Sequence, residues 1–148
     1  MKVWILLLWL FVSLSAQAAD WIKITAGKDG NQYFYDRSKL FISDDEITYW
    51  KKVIFKLPQP LKEKKAVRGL FRERIQCTEH TLQLISHLFY GADGSVIEYV
   101  ATHEDEASPI IPDTLGDAFE QALCPLTTLQ PSEPLAEIAK LPSGRLDE

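Results

Sequence analysis

Two cysteines, Cys77 and Cys124, constrain the fold of this chain more than any other feature, because they are its only cysteines. Cys77 closes a run of residues that alternates as a β-strand does, and Cys124 closes a run with helical spacing. A bond between them would fasten that helix to the sheet. Whether the bond forms depends on the compartment, and two free thiols are the alternative.

The first residues predict that the chain is exported. Lys2 supplies a positive charge, residues 3–14 are almost entirely apolar, and small residues follow, ending in Ala18, as in a secretory signal peptide. We expect residues 1–18 to be this leader, with cleavage after Ala18 or Ala19. A retained anchor is the alternative, although the apolar run is shorter than the ~20 residues that a spanning helix needs.

Export has two consequences for the cysteines. An oxidising compartment and an even count favour one disulfide between Cys77 and Cys124. No cysteine lies at the cleavage site, so we expect no lipid anchor. The predicted location is therefore the periplasm or the cell surface, without lipid attachment.

Alternation predicts an antiparallel β-sheet of about six strands. Residues 47–57 have the clearest period of two, and we expect Pro58-Gln59-Pro60 to end that strand. Lys51 interrupts its apolar face, which predicts a position near a sheet edge. Glu73 falls on the core side of the next strand and needs either a basic partner or a bulge. The predicted strands cover residues 21–25, 33–35, 40–42, 47–57, 66–77, 81–90 and 95–101.

A helix follows the strands. Asp113 or Thr114 can cap it, and apolar residues recur with helical spacing until Pro125 stops it after Cys124. The helix and strands together predict an α+β domain over residues 20–124. Residues 125–148 are rich in proline, and we expect a largely disordered tail.

The order of short motifs resembles the surface-adhesin protein E family from Trp21 to Cys124. The motifs are Trp21, Phe34-Tyr35-Asp36-Arg37-Ser38, Trp50, Cys77, Gly94-Ser95-Val96 and the Ile-x-Pro that ends at Pro112, before the helix that closes at Cys124. The resemblance implies about six antiparallel strands with a C-terminal helix held to the concave face by the disulfide. It also implies an exported bacterial binding protein, since the best-known member binds host matrix and serum proteins. Here Arg74-Ile75-Gln76 replaces the acidic residues that precede the first cysteine in the family.

Charge points to a candidate binding surface. The formal net charge is −5, which makes nucleic acid an unexpected partner, yet Lys and Arg greatly outnumber Asp and Glu from Lys51 to Arg74. We name Trp50, Arg68, Arg72 and Arg74 as candidate contacts to a protein or a polyanion. The alternative is that these arginines pair with acidic residues across the strands.

The remaining residues argue against catalysis. His80 and His87 fall on opposite faces of a regular strand and cannot share a metal, so both are expected to be solvated, and no nucleophile or phosphate-binding motif occurs. We therefore expect no enzyme activity, cofactor or metal. Two functions remain: an adhesin-like binding module, which could be a homodimer, and a periplasmic accessory protein for envelope assembly or stress whose tail docks on a partner.

Overall fold

The structure is a computed structural model that describes residues 18–24, 29–101 and 106–129. Its elements, in chain order, are β1 (Trp21–Ile24), β2 (Gln32–Asp36), a 3₁₀ turn (Arg37–Lys39), β3 (Phe41–Ser43), β4 (Glu46–Leu61), β5 (Lys64–Gln76), β6 (Thr81–Tyr90), β7 (Val96–Ala101), β8 (Ser108–Pro109), α1 (Leu115–Leu123) and a second 3₁₀ helix (Cys124–Leu129). The leader up to Gln17, the acidic pair Glu104-Asp105 and the tail from Gln130 onward lie outside the described residues.

The strands form one antiparallel sheet in the order β1-β2-β4-β5-β6-β7. The short strands β3 and β8 pair with β4 and β6, beside that path. The prediction of an α+β fold with a sheet of about six strands is therefore confirmed. Within the described residues, the helices are too short and too polar to cross a membrane.

Strand alternation gives the sheet two chemically different faces. On one face, Tyr33, Tyr35, Ile47, Tyr49 and Ile75 are buried and pack against Phe119 and Leu123 of α1. We call this the helix-covered face. The opposite face, which we call the open face, carries the alternate residues of the same strands, among them Trp50, Lys52, Arg68, Leu70, Arg72 and Tyr90.

The disulfide between Cys77 and Cys124 is formed, with an S–S distance of 2.02 Å and a Cα–Cα distance of 5.7 Å. It joins the turn after β5 to the end of α1 and so confirms the predicted pairing. Thr114 caps α1 by accepting a hydrogen bond from the amide of Asp117. Helical structure continues through Pro125 to Leu129, because a proline that begins a new turn need not donate a hydrogen bond.

The prediction that Pro58-Gln59-Pro60 ends a strand is wrong. β4 continues to Leu61, and a two-residue turn, in which Lys62 has φ 56°, follows it. The register shifts between Ile54 and Gln59, so Pro58 lies outside the paired ladder and its missing N–H is tolerated. The β4–β5 hairpin is consequently longer than alternation alone indicates.

Lys51 does not lie near a sheet edge, because β4 runs between β2 and β5. Its ammonium group forms an ion pair with Glu73, and both side chains are largely buried. Glu73 also accepts a 2.6 Å hydrogen bond from the Tyr49 hydroxyl. Lys51, which we expected at a sheet edge, is therefore the basic partner of Glu73. The Glu73 carboxylate remains on the helix-covered face.

β6 changes faces at Ile85, which simple alternation did not predict. Arg72 pairs with Ser86 but Glu73 pairs with Leu84, so the register shifts by one residue there. A shift of this kind sends the residues on its two sides to opposite faces. Leu82 therefore packs with the core, whereas Leu88 and Tyr90 lie on the open face.

Candidate binding surface on the open face

The four candidate contacts all lie on the open face. Cross-strand pairing places Trp50 opposite Arg72, Thr48 opposite Arg74 and Ile54 opposite Arg68. This part of the β4–β5 ladder is regular, so alternation assigned the face of each residue correctly. The structure thus brings Trp50, Arg68 and Arg72 onto one surface, with Arg74 at its end.

The three arginines differ in their partners. Arg74 Nε lies 3.1 Å from a carboxylate oxygen of Glu46, so the expectation of acid pairing holds for this residue. The guanidinium of Arg68 lies 4.5 Å from the centre of the Tyr90 ring. Within residues 18–24, 29–101 and 106–129, neither Arg68 nor Arg72 forms an ion pair with a carboxylate.

Lys52 is a further cation on the open face, and it is not among the four candidate contacts predicted from the sequence. Its ammonium group lies 4.1 Å from the centre of the Trp21 ring and 4.7 Å from that of Phe34. Burial lowers the pKa of Lys52, and the nearby charge of Arg68 lowers it further, while Asp36 opposes both effects. Lys52 shares its face with Trp50, so alternation on β4 could have revealed it, but Trp21 comes from a distant strand.

A cavity of about 270 Å³ opens on this face, and we call it the open-face pocket. Its lining combines aromatic rings, aliphatic side chains and two charged residues. It is lined by Ala19, Trp21, Asp36, Lys39, Trp50, Leu70, Leu88 and Tyr90. Only Trp50 of this set was singled out as a contact, because the pocket depends on the pairing of β1, β2 and β4–β6 and on the register shift at Ile85.

Asp36 fixes the N-terminal wall of the pocket. The residue is 2% exposed, and its Oδ1 accepts hydrogen bonds from the amides of Asp20 and Ser38, both at 3.0 Å, and from the Ser38 hydroxyl at 2.6 Å. Asp36 is thus the N-cap of the 3₁₀ turn Arg37–Lys39. Asp20 in turn forms an ion pair with Arg37 at 2.7 Å. These contacts hold Ala19 and Trp21 beside the pocket.

The histidines lie elsewhere and do not meet. His80 is exposed, and its Nδ1 lies 2.7 Å from Glu120 beside a cleft of about 680 Å³. His87 packs against Phe71 and Phe89 on the helix-covered face, so the expectation that it is solvated is wrong. No cluster of three metal-binding side chains occurs among the described residues.

The fold and this surface define a class: a disulfide-tethered, single-sheet module with one face covered by its helix and the other exposed. The chain belongs to the surface-adhesin protein E family, whose family model matches residues 21–125. Membership supports a surface-adhesin-like role. No curated protein matches the sequence.

Solved structures with the same fold include those of Haemophilus influenzae protein E. Its crystal form II superposes with a TM-score of 0.55 at 14% identity, covering 76% of this chain and 96% of that one. The selenomethionine form gives 0.52 at 15% identity, covering 73% and 92%. A third structure gives 0.51 at 14% identity, covering 76% and 89%. At these identities the likeness concerns the fold.

Proposed function

We propose that this chain is an exported, non-catalytic binding module that recognises an anionic partner through the open face. The partner class comprises proteins and polyanions of a host surface or of the cell envelope. Family membership supports the adhesin-like part of the proposal. The choice of surface rests on one observation: Arg68 lies over the Tyr90 ring, Arg72 pairs across the strands with Trp50, and neither has a carboxylate partner in the described part of the chain.

Uncompensated cations on an exposed sheet face favour association with anions. Clustered charge of one sign raises the local concentration of a partner of opposite sign and accelerates binding at low salt. On this face, Glu46 is engaged with Arg74, and Asp36 is enclosed by its own hydrogen bonds. The charges of the exposed Arg68 and Arg72 therefore remain available, although the chain as a whole is acidic.

The test measures binding of the full mature chain to immobilised polyphosphate and poly-L-glutamate, with neutral dextran as the blank. An exposed ion pair contributes ~0.2–1 kcal/mol, so the double variant Arg68→Gln, Arg72→Gln should bind about tenfold more weakly at low salt. The matched control is Lys64→Gln, Lys65→Gln, which removes the same charge from exposed positions on the β4–β5 hairpin. Equal losses in the two double variants would refute the assignment of this face.

A further inference from the structure

We infer that the open-face pocket binds an acidic sugar ring that forms part of an oligosaccharide. This inference rests on the proposed function and narrows its ligand from anions in general to one chemical class. Three features of the pocket carry it: its size and aromatic lining, the charged residues that line it, and the positions of the cations around it.

The size and walls of the pocket fit one six-membered ring. A cavity of about 150 Å³ holds benzene, and the pocket has about 270 Å³, which leaves space for ring substituents. Its lining includes the aromatic rings of Trp21, Trp50 and Tyr90 and the aliphatic side chains of Leu70 and Leu88. The C–H faces of a pyranose pack well against such aromatic and aliphatic surfaces, whereas an aspartate or glutamate side chain has no comparable apolar face.

Two charged residues, Asp36 and Lys39, line the pocket. Asp36 is 2% exposed and its Oδ1 accepts three hydrogen bonds from the protein, whereas Lys39 is exposed. The ammonium group of Lys39 attracts a carboxylate or a sulfate. The ligand should therefore present an anionic group beside an apolar face, and an acidic sugar carries both on one ring.

Besides Lys39, three further cations are placed around the pocket. Lys52 lies on the ring of Trp21, Arg68 lies on the ring of Tyr90, and Arg72 pairs across the strands with Trp50. Arg68 and Arg72 are four residues apart on β5, which corresponds to about 13 Å along a strand. A ligand that reaches both arginines therefore extends beyond the ring in the pocket, as an oligosaccharide with sulfate or carboxylate groups on neighbouring rings does.

The two tryptophans make occupancy directly measurable. Of the four tryptophans in the chain, two lie in the predicted leader and the other two are Trp21 and Trp50. Tryptophan fluorescence of the mature protein therefore reports on the pocket walls alone. We would titrate the mature chain with a heparin-derived tetrasaccharide, with neutral maltotetraose, and with an oligoglutamate peptide whose charge matches that of the heparin fragment.

We expect the heparin tetrasaccharide to change the tryptophan fluorescence. The protein should bind it about tenfold more tightly than oligoglutamate and should not bind maltotetraose. Trp50→Leu should weaken tetrasaccharide binding about fivefold and leave oligoglutamate binding nearly unchanged, because only the sugar uses the aromatic wall. Leu70→Phe, which narrows the cavity and keeps both tryptophans, should have the same selective effect. Thermal melting of each variant checks that it is folded.

The other outcomes separate this inference from the proposed function. Equal binding of the heparin fragment and oligoglutamate, both dependent on Arg68 and Arg72 but not on Trp50, would overturn the sugar assignment and keep the anion-binding face. Equal binding of maltotetraose and the heparin fragment would overturn the requirement for acidic groups. Binding of none of the probes, together with no binding to polyphosphate, would overturn both proposals.

Discussion

Replacing Lys51 with methionine would leave Glu73 buried without its cation. Glu73 is 4% exposed, and its remaining partner is the hydroxyl of Tyr49 at 2.6 Å. Removal of one member of a buried ion pair costs about 3–5 kcal/mol, because the other charge stays in a poorly solvated site. Small domains have a total stability of about 5–15 kcal/mol, so this single change should remove a large fraction of it.

The assay is urea unfolding of the oxidised mature protein, followed by circular dichroism. We expect Lys51→Met to lower the free energy of unfolding by about 3 kcal/mol with an unchanged m-value. Lys56→Met is the matched control, because Lys56 lies on the same strand with an exposed side chain, and it should change stability by less than about 0.5 kcal/mol.

The double variant Lys51→Met, Glu73→Gln distinguishes a buried charge pair from ordinary packing. Glutamine keeps an acceptor for Tyr49 and removes the unpaired charge, so the double variant should be more stable than Lys51→Met alone. A coupling free energy of about 2 kcal/mol is expected. A cost below about 1 kcal/mol for Lys51→Met, or additivity of the two single changes, would refute the role assigned to this pair.

Three further predictions concern the fold, the pH dependence and the location. Gly69→Ala should destabilise the domain by about 1–3 kcal/mol in urea unfolding. The reason is that an added Cβ would lie 2.8 Å from the Phe71 ring and 3.2 Å from that of Phe89. An unchanged midpoint of urea unfolding would contradict this prediction. Burial, and secondarily Glu73, raises the pKa of Tyr49 well above its usual value, so the unfolded chain releases this proton first and stability should fall as the pH rises above 10. Tyr49→Phe should flatten that fall, which urea midpoints between neutral and alkaline pH would measure. Intact-mass analysis of native cell fractions should find an oxidised chain that starts at Ala19 or Asp20. The adhesin-like function predicts this chain at the outer membrane or in the medium, and the accessory alternative predicts it in the periplasm. An uncleaved or reduced chain would contradict the export that both functions require.

Local patterns predicted the parts of the fold that depend on one strand or one helix. The strong alternation from Ile47 to Ile54 and from Arg68 to Arg74 assigned the basic side chains to the correct face. The helical spacing before Cys124 located α1, and the cysteine count indicated its tether. For the strands and the helix, a local periodicity matched the geometry of a single element.

The errors occurred where the geometry changes within an element. The register shift at Ile85 sends Leu88 and Tyr90 to the open face, although they continue the same alternation as Leu82. The shift after Ile54 lets β4 pass through Pro58. Such shifts are set by pairing with neighbouring strands, and a single strand's sequence does not specify them.

The candidate site was predicted in part for the same reason. Trp50, Arg68 and Arg72 share adjacent strands, so alternation was sufficient to group them. The pocket also requires Trp21 from β1 and Tyr90 from β6, and their approach depends on the whole order of the sheet. Lys51 was misplaced because a lysine on an apolar face usually indicates an edge, and its partner Glu73 lies on another strand.

The attachment of Asp20 to Asp36 and Arg37 places the predicted cleavage site next to a folded part of the domain. A signal peptidase needs the residues on both sides of its cut to be extended and accessible. Only Ala19 separates Asp20 from a cut after Ala18, and a cut after Ala19 would fall at Asp20 itself. Because Asp20 is held against the 3₁₀ turn by its backbone and its side chain, this closed contact and an extended cleavage site would exclude each other. If the predicted leader is cleaved at this position, cleavage should precede lasting docking of β1, and a precursor that folded too early would protect its own cleavage site.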